Sequence, residues 1–331
     1  MSHERDATAS SLHGPPSPRI LGTTGLRVTP LCVGCAPLGN MPAASAYEVS
    51  EEQALATYRT VLAGPITFLD TAASYGDGES ERRLGVALRE RGGVPAGFVL
   101  ATKADRDLAT GDFSGDQVYR SVERSLRLLG LDRLQLCYPH DPEHITFEAA
   151  MAPGGPVEAL RRCKDDGRVA HIGVAGGPLD LMTRFVQTGL FEVAVSHNRY
   201  TLLNTAADPF WDVCWRAGVA AINAAPYGGG ILVRGPRAYP RYAYQGAAED
   251  VLEQAQRLDA ICARHDVPLG AAALQFSLRD PRIASTIVGL SAPEMVAQTV
   301  ALAQYPIPAA LWSDLAAIEP LQDDPERTRA P

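Results

Sequence analysis

FVLATKADRDLATGDFSGDQVYRSVERSLRLLGLDRLQLCYPH, residues 98–140, carries the pattern that decides the fold. It opens on a short apolar run (98–103) and closes on another (133–140). Between them Val118, Val122, Leu126 and Leu129 recur at the spacing that puts apolar side chains on one face of a helix. Two continuous apolar strands joined by a crossover helix predict a parallel pair buried on both faces. The same unit repeats outward in both directions. LCVGC (31–35) and ITFLD (66–70) precede it, with Leu55, Tyr58, Val61 and Leu62 forming the helical stripe between them. VAHIGVA (169–175), VAVSHN (193–198), VAAINAAP (219–226) and STIVG (285–289) follow. Eight strands at intervals of roughly 35 residues predict an α/β fold closed as a (β/α)8 TIM barrel. The competing open, doubly wound sheet would carry GxGxxG after its first strand, where this chain reads GCAPLG.

The chain has 331 residues, 46% hydrophobic and 21% charged, enough apolar surface to bury a core of its own. A net charge of −8 and a pI near 5.4 oppose a nucleic-acid-binding surface, which needs a dense Lys/Arg footprint. No run of about 18 apolar residues occurs, and the opening MSHERDATASSLHGPPSP has no apolar h-region. A soluble, cytoplasmic protein with no membrane partner is expected, as a monomer or small homo-oligomer. Residues 1–18 are expected to form a disordered leader, 19–318 the barrel, and 319–331 a flexible tail. Residues 227–248, rich in Gly and Tyr, are too long for an ordinary βα connection and are expected to form a functional loop over the site. Cys32 and Cys35 form a CxxC without a partner set for zinc, so they read as reduced core thiols, and no metal site is expected. Trp211 and Trp215, four apart on a helix, are both expected in the core.

In a barrel of this kind the reactive groups stand at the C-terminal ends of the strands. Asp70, Lys103 and His140 end the second, third and fourth runs, and Tyr75 follows in the loop after the second. Together these make a device for moving protons. A phenol is a poor proton carrier at neutral pH, and a neighbouring ammonium lowers its pKa. Lys103 is expected to do this for Tyr75, with Asp70 as the counter-anion and His140 bonded to the substrate oxygen.

FLDTAASYGDGESERRLG (68–85), ATK (101–103) and YPHD (138–141) resemble the signature of the aldo-keto reductases, over roughly residues 19–318. The resemblance implies a barrel that carries a nicotinamide cofactor without a Rossmann domain, and a catalytic tetrad of Asp70, Tyr75, Lys103 and His140. NRYTLL (198–203), INAAPYGGGIL (222–232), VPLGAAALQFSLRDPRIASTIVG (267–289) and YPIPAALWSDL (305–315) are similar to the aldose 1-dehydrogenases of that family. These act on L-fucose, L-galactose or D-threo-aldoses, and pyridoxal 4-dehydrogenase belongs to the same group. The implied reaction is oxidation of a cyclic hemiacetal to a lactone, with Tyr75 as general base. A general aldehyde or ketone reductase is one alternative, and a cofactor-sensing regulatory subunit of the kind related barrels form on ion channels is another.

The implied cofactor contacts are Gly34, Cys35, Asp70, His197, Asn198, Pro226, Tyr227, Gly228, Gly230, Leu232, Gly289, Ser291, Met295 and Gln298. The glycines of 228–230 would let backbone N–H groups approach a pyrophosphate. A 2′-phosphate needs a cation, yet the family's usual basic positions read Gly289, Ser291 and Met295, with no Lys or Arg between Ile283 and Val300. NAD is therefore expected over NADP. Gln298 stands for a frequent Glu and Thr299 for a frequent Asn. The Ser-Asn that holds the carboxamide in many relatives is replaced by Ala175, Gly176 and Gly177, a usual Gln by His197, and the stacking Tyr by Ala224. His197 and Asn198, or backbone of the glycine run, are expected to hold the carboxamide instead. Of the loop tyrosines, only Tyr227 is expected at the site, with Tyr239, Tyr242 and Tyr244 in loop packing.

Overall fold

The computed structural model describes residues 17–42 and 47–327. Eight parallel strands close on themselves: β1 (Leu31–Gly34), β2 (Phe68–Asp70), β3 (Val99–Ala104), β4 (Leu134–Pro139), β5 (Val169–Ala175), β6 (Val193–His197), β7 (Ala220–Ala224) and β8 (Ile283–Gly289). β8 pairs with both β7 and β1, which removes both sheet edges. All eight expected strands are present, with ends shifted by a few residues at most.

The crossover helices are α1 (Glu51–Ala63), α2 (Glu79–Arg91), α3 (Gly115–Leu129), α4 (Pro156–Asp165), α5 (Leu179–Gln187), α6 (Asp208–Ala217), α7 (Leu269–Leu278) and α8 (Glu294–Gln304). α3 shows why such segments are helical. Ser114 caps its first turn by accepting from the Gln117 N–H, Gly130 ends it at φ 71°, and Val118, Val122 and Leu129 form its buried face. Trp211 of α6 is fully buried, whereas Trp215 is 63% exposed, so only one of the two belongs to the core. A spacing of four turns a residue 40° around the helix, enough here to carry Trp215 off the core-facing stripe.

Alternation along the strands divides the core into two shells. Cys32, Phe68, Val99, Ala101, Leu136 and Tyr138 point into the barrel and pack with Leu21 and Val28 of the N-terminal hairpin (Arg19–Ile20, Arg27–Val28). Leu31, Val33, Leu69, Leu100 and Cys137 point outward to the helices. Cys32 and Cys35 are buried free thiols, one on each side of the wall. The described residues hold no cluster of side chains suited to a metal, and no helix among them is long and apolar enough to cross a membrane.

The C-terminal segment departs from expectation. Residues 319–327, expected in a flexible tail, are tied to the loop after β6. Leu321 exchanges backbone hydrogen bonds with Leu203 and Thr205, the Asn204 amide donates to the Asp323 carbonyl, and Arg199 pairs with Asp324 at 2.6 Å. A chain so bonded to buried partners is part of the fold. Residues 328–331 and, apart from Ser17 and Pro18, the expected leader lie outside the described residues.

One carboxyl in the wall makes stability depend on pH. Glu81 of α2 is fully buried and accepts from the Thr102 hydroxyl at 2.5 Å. Burial pushes its pKa from 4.5 up to about 7. The protonated form suits the fold, so its stabilisation is complete below about pH 4.5 and is lost as pH rises through 7. Glu81→Gln cannot ionise. Between those limits its stability relative to the parent chain should rise by about 3 kcal/mol, measured by denaturant unfolding across the pH range. A difference that stays flat would contradict this.

Candidate active site

The same alternation that builds the inner core delivers the reactive groups. Two residues beyond Phe68 on the inward face stands Asp70; two beyond Ala101, Lys103; two beyond Tyr138, His140. All three reach the C-terminal mouth, where a cavity of about 470 Å³ opens. Tyr75 arrives on the turn after β2. That turn lies so close to residue 39 that a Cβ on Gly76 would fall 1.9 Å from the Gly39 carbonyl oxygen, and Gly76 has φ 63°. Only glycine permits this approach.

Lys103 sits at the centre, 3% exposed. Its ammonium donates to Asp70 Oδ1 at 2.5 Å, to the Thr71 carbonyl at 2.8 Å and to Tyr75 Oη at 3.0 Å, which uses all three of its protons. Burial pulls the Lys103 pKa down, but Asp70 and Tyr75 more than offset it, so the ammonium stays charged. For Tyr75 the balance falls the other way. Burial raises the phenol above its ordinary value, and Lys103 only partly counters the rise. The expected lowering by Lys103 is present as a contribution but is outweighed. Tyr75 therefore holds its proton near neutral pH.

His140 stands edge-on to Tyr75, with ring centroids 5.7 Å apart. Its Nδ1 lies 2.6 Å from Asp105 Oδ1, and its Nε2 lies 3.7 Å from Asp141 Oδ1. Burial lowers its pKa, but Asp105 and Asp141 reverse this and set it above the usual imidazole value. Asp105 was not among the sequence candidates. The signal was available, because Asp105 lies two residues beyond Lys103 on the inward-facing parity.

The expected cofactor contacts divide. Gly34, Asp70, His197, Pro226 and Tyr227 line the cavity, as do Gly230, Gly289, Met295 and Gln298. Five others do not. Cys35 is buried against the helices, its N–H donating to the Asp70 carbonyl. Asn198 is fully buried beneath the C-terminal segment, its amide donating to Glu326 at 2.8 Å. Gly228 lies under the Tyr242 ring, Leu232 belongs to the outer core, and Ser291 is held by Met295 Sδ and the Gln53 amide. His197 is paired with Glu326 at 3.0 Å, and the Glu326 carboxylate raises its pKa despite burial.

Within 227–248, Gly229, Gly230, Val233, Arg234, Tyr239 and Tyr244 line the cavity. Tyr239 and Tyr244 thus join Tyr227 at the site, while Tyr242 is buried in packing. Arg234 stacks on Tyr239 at 4.7 Å and on Tyr47 at 5.0 Å, which draws the loop over the mouth.

A family model described as the aldo/keto reductase family matches residues 30–320. The chain belongs to this family. It is an oxidoreductase of the aldo/keto reductase type, and such enzymes use nicotinamide cofactors. It is 32% identical over 318 residues to the D-threo-aldose 1-dehydrogenase of a Pseudomonas species, covering 88% of this chain and 94% of that protein. It is 31% identical to the L-galactose dehydrogenase of Arabidopsis thaliana, covering 86% of each. The pyridoxal 4-dehydrogenase of Microbacterium luteolum is 29% identical, with 90% and 96% covered. The holo form of an aldo-keto reductase from Bacillus halodurans superposes with a TM-score of 0.75 over 95% of this chain and all of that one, at 23% identity, a likeness of fold.

The cavity of this aldo/keto reductase fits a dinucleotide on its own chemistry. Gly229 and Gly230 line it at φ 78° and 125°, backbone conformations that glycine adopts readily. Tyr227 lines the same wall, and its buried hydroxyl has no hydrogen-bond partner among the described residues.

Removing the central ammonium would leave Asp70 as a buried, unpaired charge. Lys103→Met should cost about 3–5 kcal/mol in unfolding free energy, and adding Asp70→Asn should recover much of it. Additive losses in the double variant would contradict the pairing.

Proposed function

We propose that this enzyme oxidises the hemiacetal carbon of a sugar of the L-fucose, D-threo-aldose or L-galactose type, or of pyridoxal, to a lactone, with NAD preferred over NADP. The observation that carries the reading is the convergence of Tyr75, Lys103 and His140 on one cavity, in a chain about 30% identical over most of its length to three dehydrogenases with such names. When bound, the nicotinamide supplies the hydride acceptor. Tyr227, Gly229 and Gly230 would hold its phosphates and ribose side, and Met295 and Gln298 its adenosine side.

The chain's own groups manage the substrate oxygen. Tyr75 presents a phenol to it and His140 an imidazole. The sequence assigns Tyr75 as general base. Burial raises the Tyr75 phenol and Lys103, 3.0 Å away, partly counters the rise, so the base is the phenolate that this ammonium stabilises; in the reverse direction the phenol is the acid. Preference for NAD is supported by the segment after β8. From the end of β8 onward the cavity is lined by Gly289, Met295, Gln298, Thr299 and Leu302, none with a charge to meet a 2′-phosphate. A reductase of simple aldehydes is the competing activity for the same groups.

The test is absorbance at the reduced-nicotinamide band on mixing the full chain with NAD or NADP and L-fucose, D-arabinose, L-galactose or pyridoxal. NAD reduction by at least one is expected. Tyr75→Phe should lower that turnover by about 10²–10⁴-fold while cofactor affinity stays near the parent value. Turnover unchanged by the substitution would remove Tyr75 from the chemistry, and activity with simple aldehydes alone would exclude the hemiacetal reading.

A further inference from the structure

Among the described residues, the ends of β5, β6 and β7 give the cavity a single polar side chain. Ala175, Gly176, Val195, Ala224 and Ala225 line this wall, and His197 stands among them, in register with Ala224. The wall faces β2, which carries Asp70 and leads to Tyr75, from across the closed barrel. His197 is tethered by the C-terminal segment. Its Nε2 lies 3.0 Å from Glu326 Oε1 and 3.2 Å from Oε2. The Asn198 amide donates to the same carboxylate at 2.8 Å, Arg199 lies 3.5 Å from it, and the Glu326 N–H donates to Asp324. Burial raises the Glu326 pKa, but His197, Asn198 and Arg199 outweigh it, so the group is a carboxylate. A carboxylate only accepts hydrogen bonds, so His197 keeps its Nε2 proton whether the ring is neutral or charged. Nδ1 is left without a partner among the described residues.

We infer that Glu326 is a positioning residue of the cofactor site, fixing the His197 ring so that Nδ1 meets the carboxamide of a bound nicotinamide. This rests on the nicotinamide use of the family and not on the choice of substrate. A carboxamide carries a donor and an acceptor in one plane. Neutral His197 accepts from its NH2 at Nδ1, and charged His197 donates to its oxygen, so the contact survives either state of the ring. The neighbouring alanines and glycine offer no competing side chain. A Cβ on Gly176 would lie 2.8 Å from Glu143 Oε2 and 3.0 Å from Met182 Sδ, so the wall beside His197 has no room for a larger residue. A ring already held needs no ordering when the cofactor arrives. The C-terminal segment thus acts on the cofactor without touching it.

Glu326 also holds Asn198 and Arg199, so removing it loosens the loop after β6 as well as the ring. Loosening acts on every fragment of the cofactor alike. Loss of the Nδ1 contact acts only on the part that bears the carboxamide. ADP-ribose shares with NAD everything but the nicotinamide, and the two ligands together separate these effects.

Glu326→Ala in the full chain, titrated calorimetrically without substrate, should weaken NAD roughly 3- to 10-fold, the worth of one hydrogen bond, and leave ADP-ribose within about twofold of the parent. Where the chain prefers NADP, the same comparison uses NADP and 2′-phospho-ADP-ribose. His197→Ala should show the same selective loss, and adding Glu326→Ala to it should cost nothing more. Unchanged dinucleotide affinity, equal losses for both ligands, or additive losses in the double variant overturn the inference. Nitrogen-15 NMR of the histidine-labelled parent chain decides the matter should the variants fail to fold. His197 should be protonated at Nε2, and its Nδ1 signal should move with the dinucleotide and not with ADP-ribose. A His197 without a proton on Nε2, or an Nδ1 signal that the two ligands move alike, overturns it. Both measurements use the cofactor alone, so failure of every sugar and of pyridoxal counts only against the function proposed above.

Discussion

The site depends on keeping one ammonium charged inside a protein core. An isolated lysine at 3% exposure would shed its proton, and the barrel prevents this by closing an acceptor on each N–H of Lys103. Those three acceptors come from the end of β2 and the turn that follows it. The requirement therefore fixes the register of β2 against β3 and the path of the turn that carries Tyr75. The Gly39–Gly76 contact is a consequence, since the turn can lie close enough only where neither residue has a Cβ in the way.

Burial gives opposite results at two neighbouring groups. Lys103 has a carboxylate in contact and stays ionised. Tyr75 shares only that same ammonium, already engaged by Asp70, and its phenol keeps its proton. His140 resembles Lys103 in having carboxylates against it. The mouth of the barrel thus holds one fixed cation, one retained phenolic proton and one imidazole whose charge can change, a division of labour suited to moving a single proton at a single oxygen.

Much of this was legible in the chain. Apolar runs ending in Asp70, Lys103 and His140 identified the strands and the groups at their C-terminal ends, because a parallel barrel strand is buried on both faces and changes composition where it emerges. The reading failed where contacts are remote in sequence. Residues 319–327 are polar and carry no periodic pattern, yet they pack through backbone bonds to the loop after β6 and through Glu326 to His197 and Asn198. This seals Asn198 away from the cavity. Asp105 escaped notice because it lies beyond the apolar run, although strand parity points it inward with Lys103. The loop tyrosines could not be sorted by distance along the chain, since stacking between Arg234 and Tyr239 folds that loop back over the mouth.

Under the function proposed above, this cavity takes a hydride from the hemiacetal carbon of a sugar. The most direct measurement follows the atom itself: the full chain is incubated with NAD and L-galactose or L-fucose carrying deuterium at C1, and both products are examined by mass spectrometry. Deuterium is expected in the reduced nicotinamide, together with an unlabelled lactone. Sugars recovered with their deuterium in place, under conditions where simple aldehydes are reduced, would contradict it.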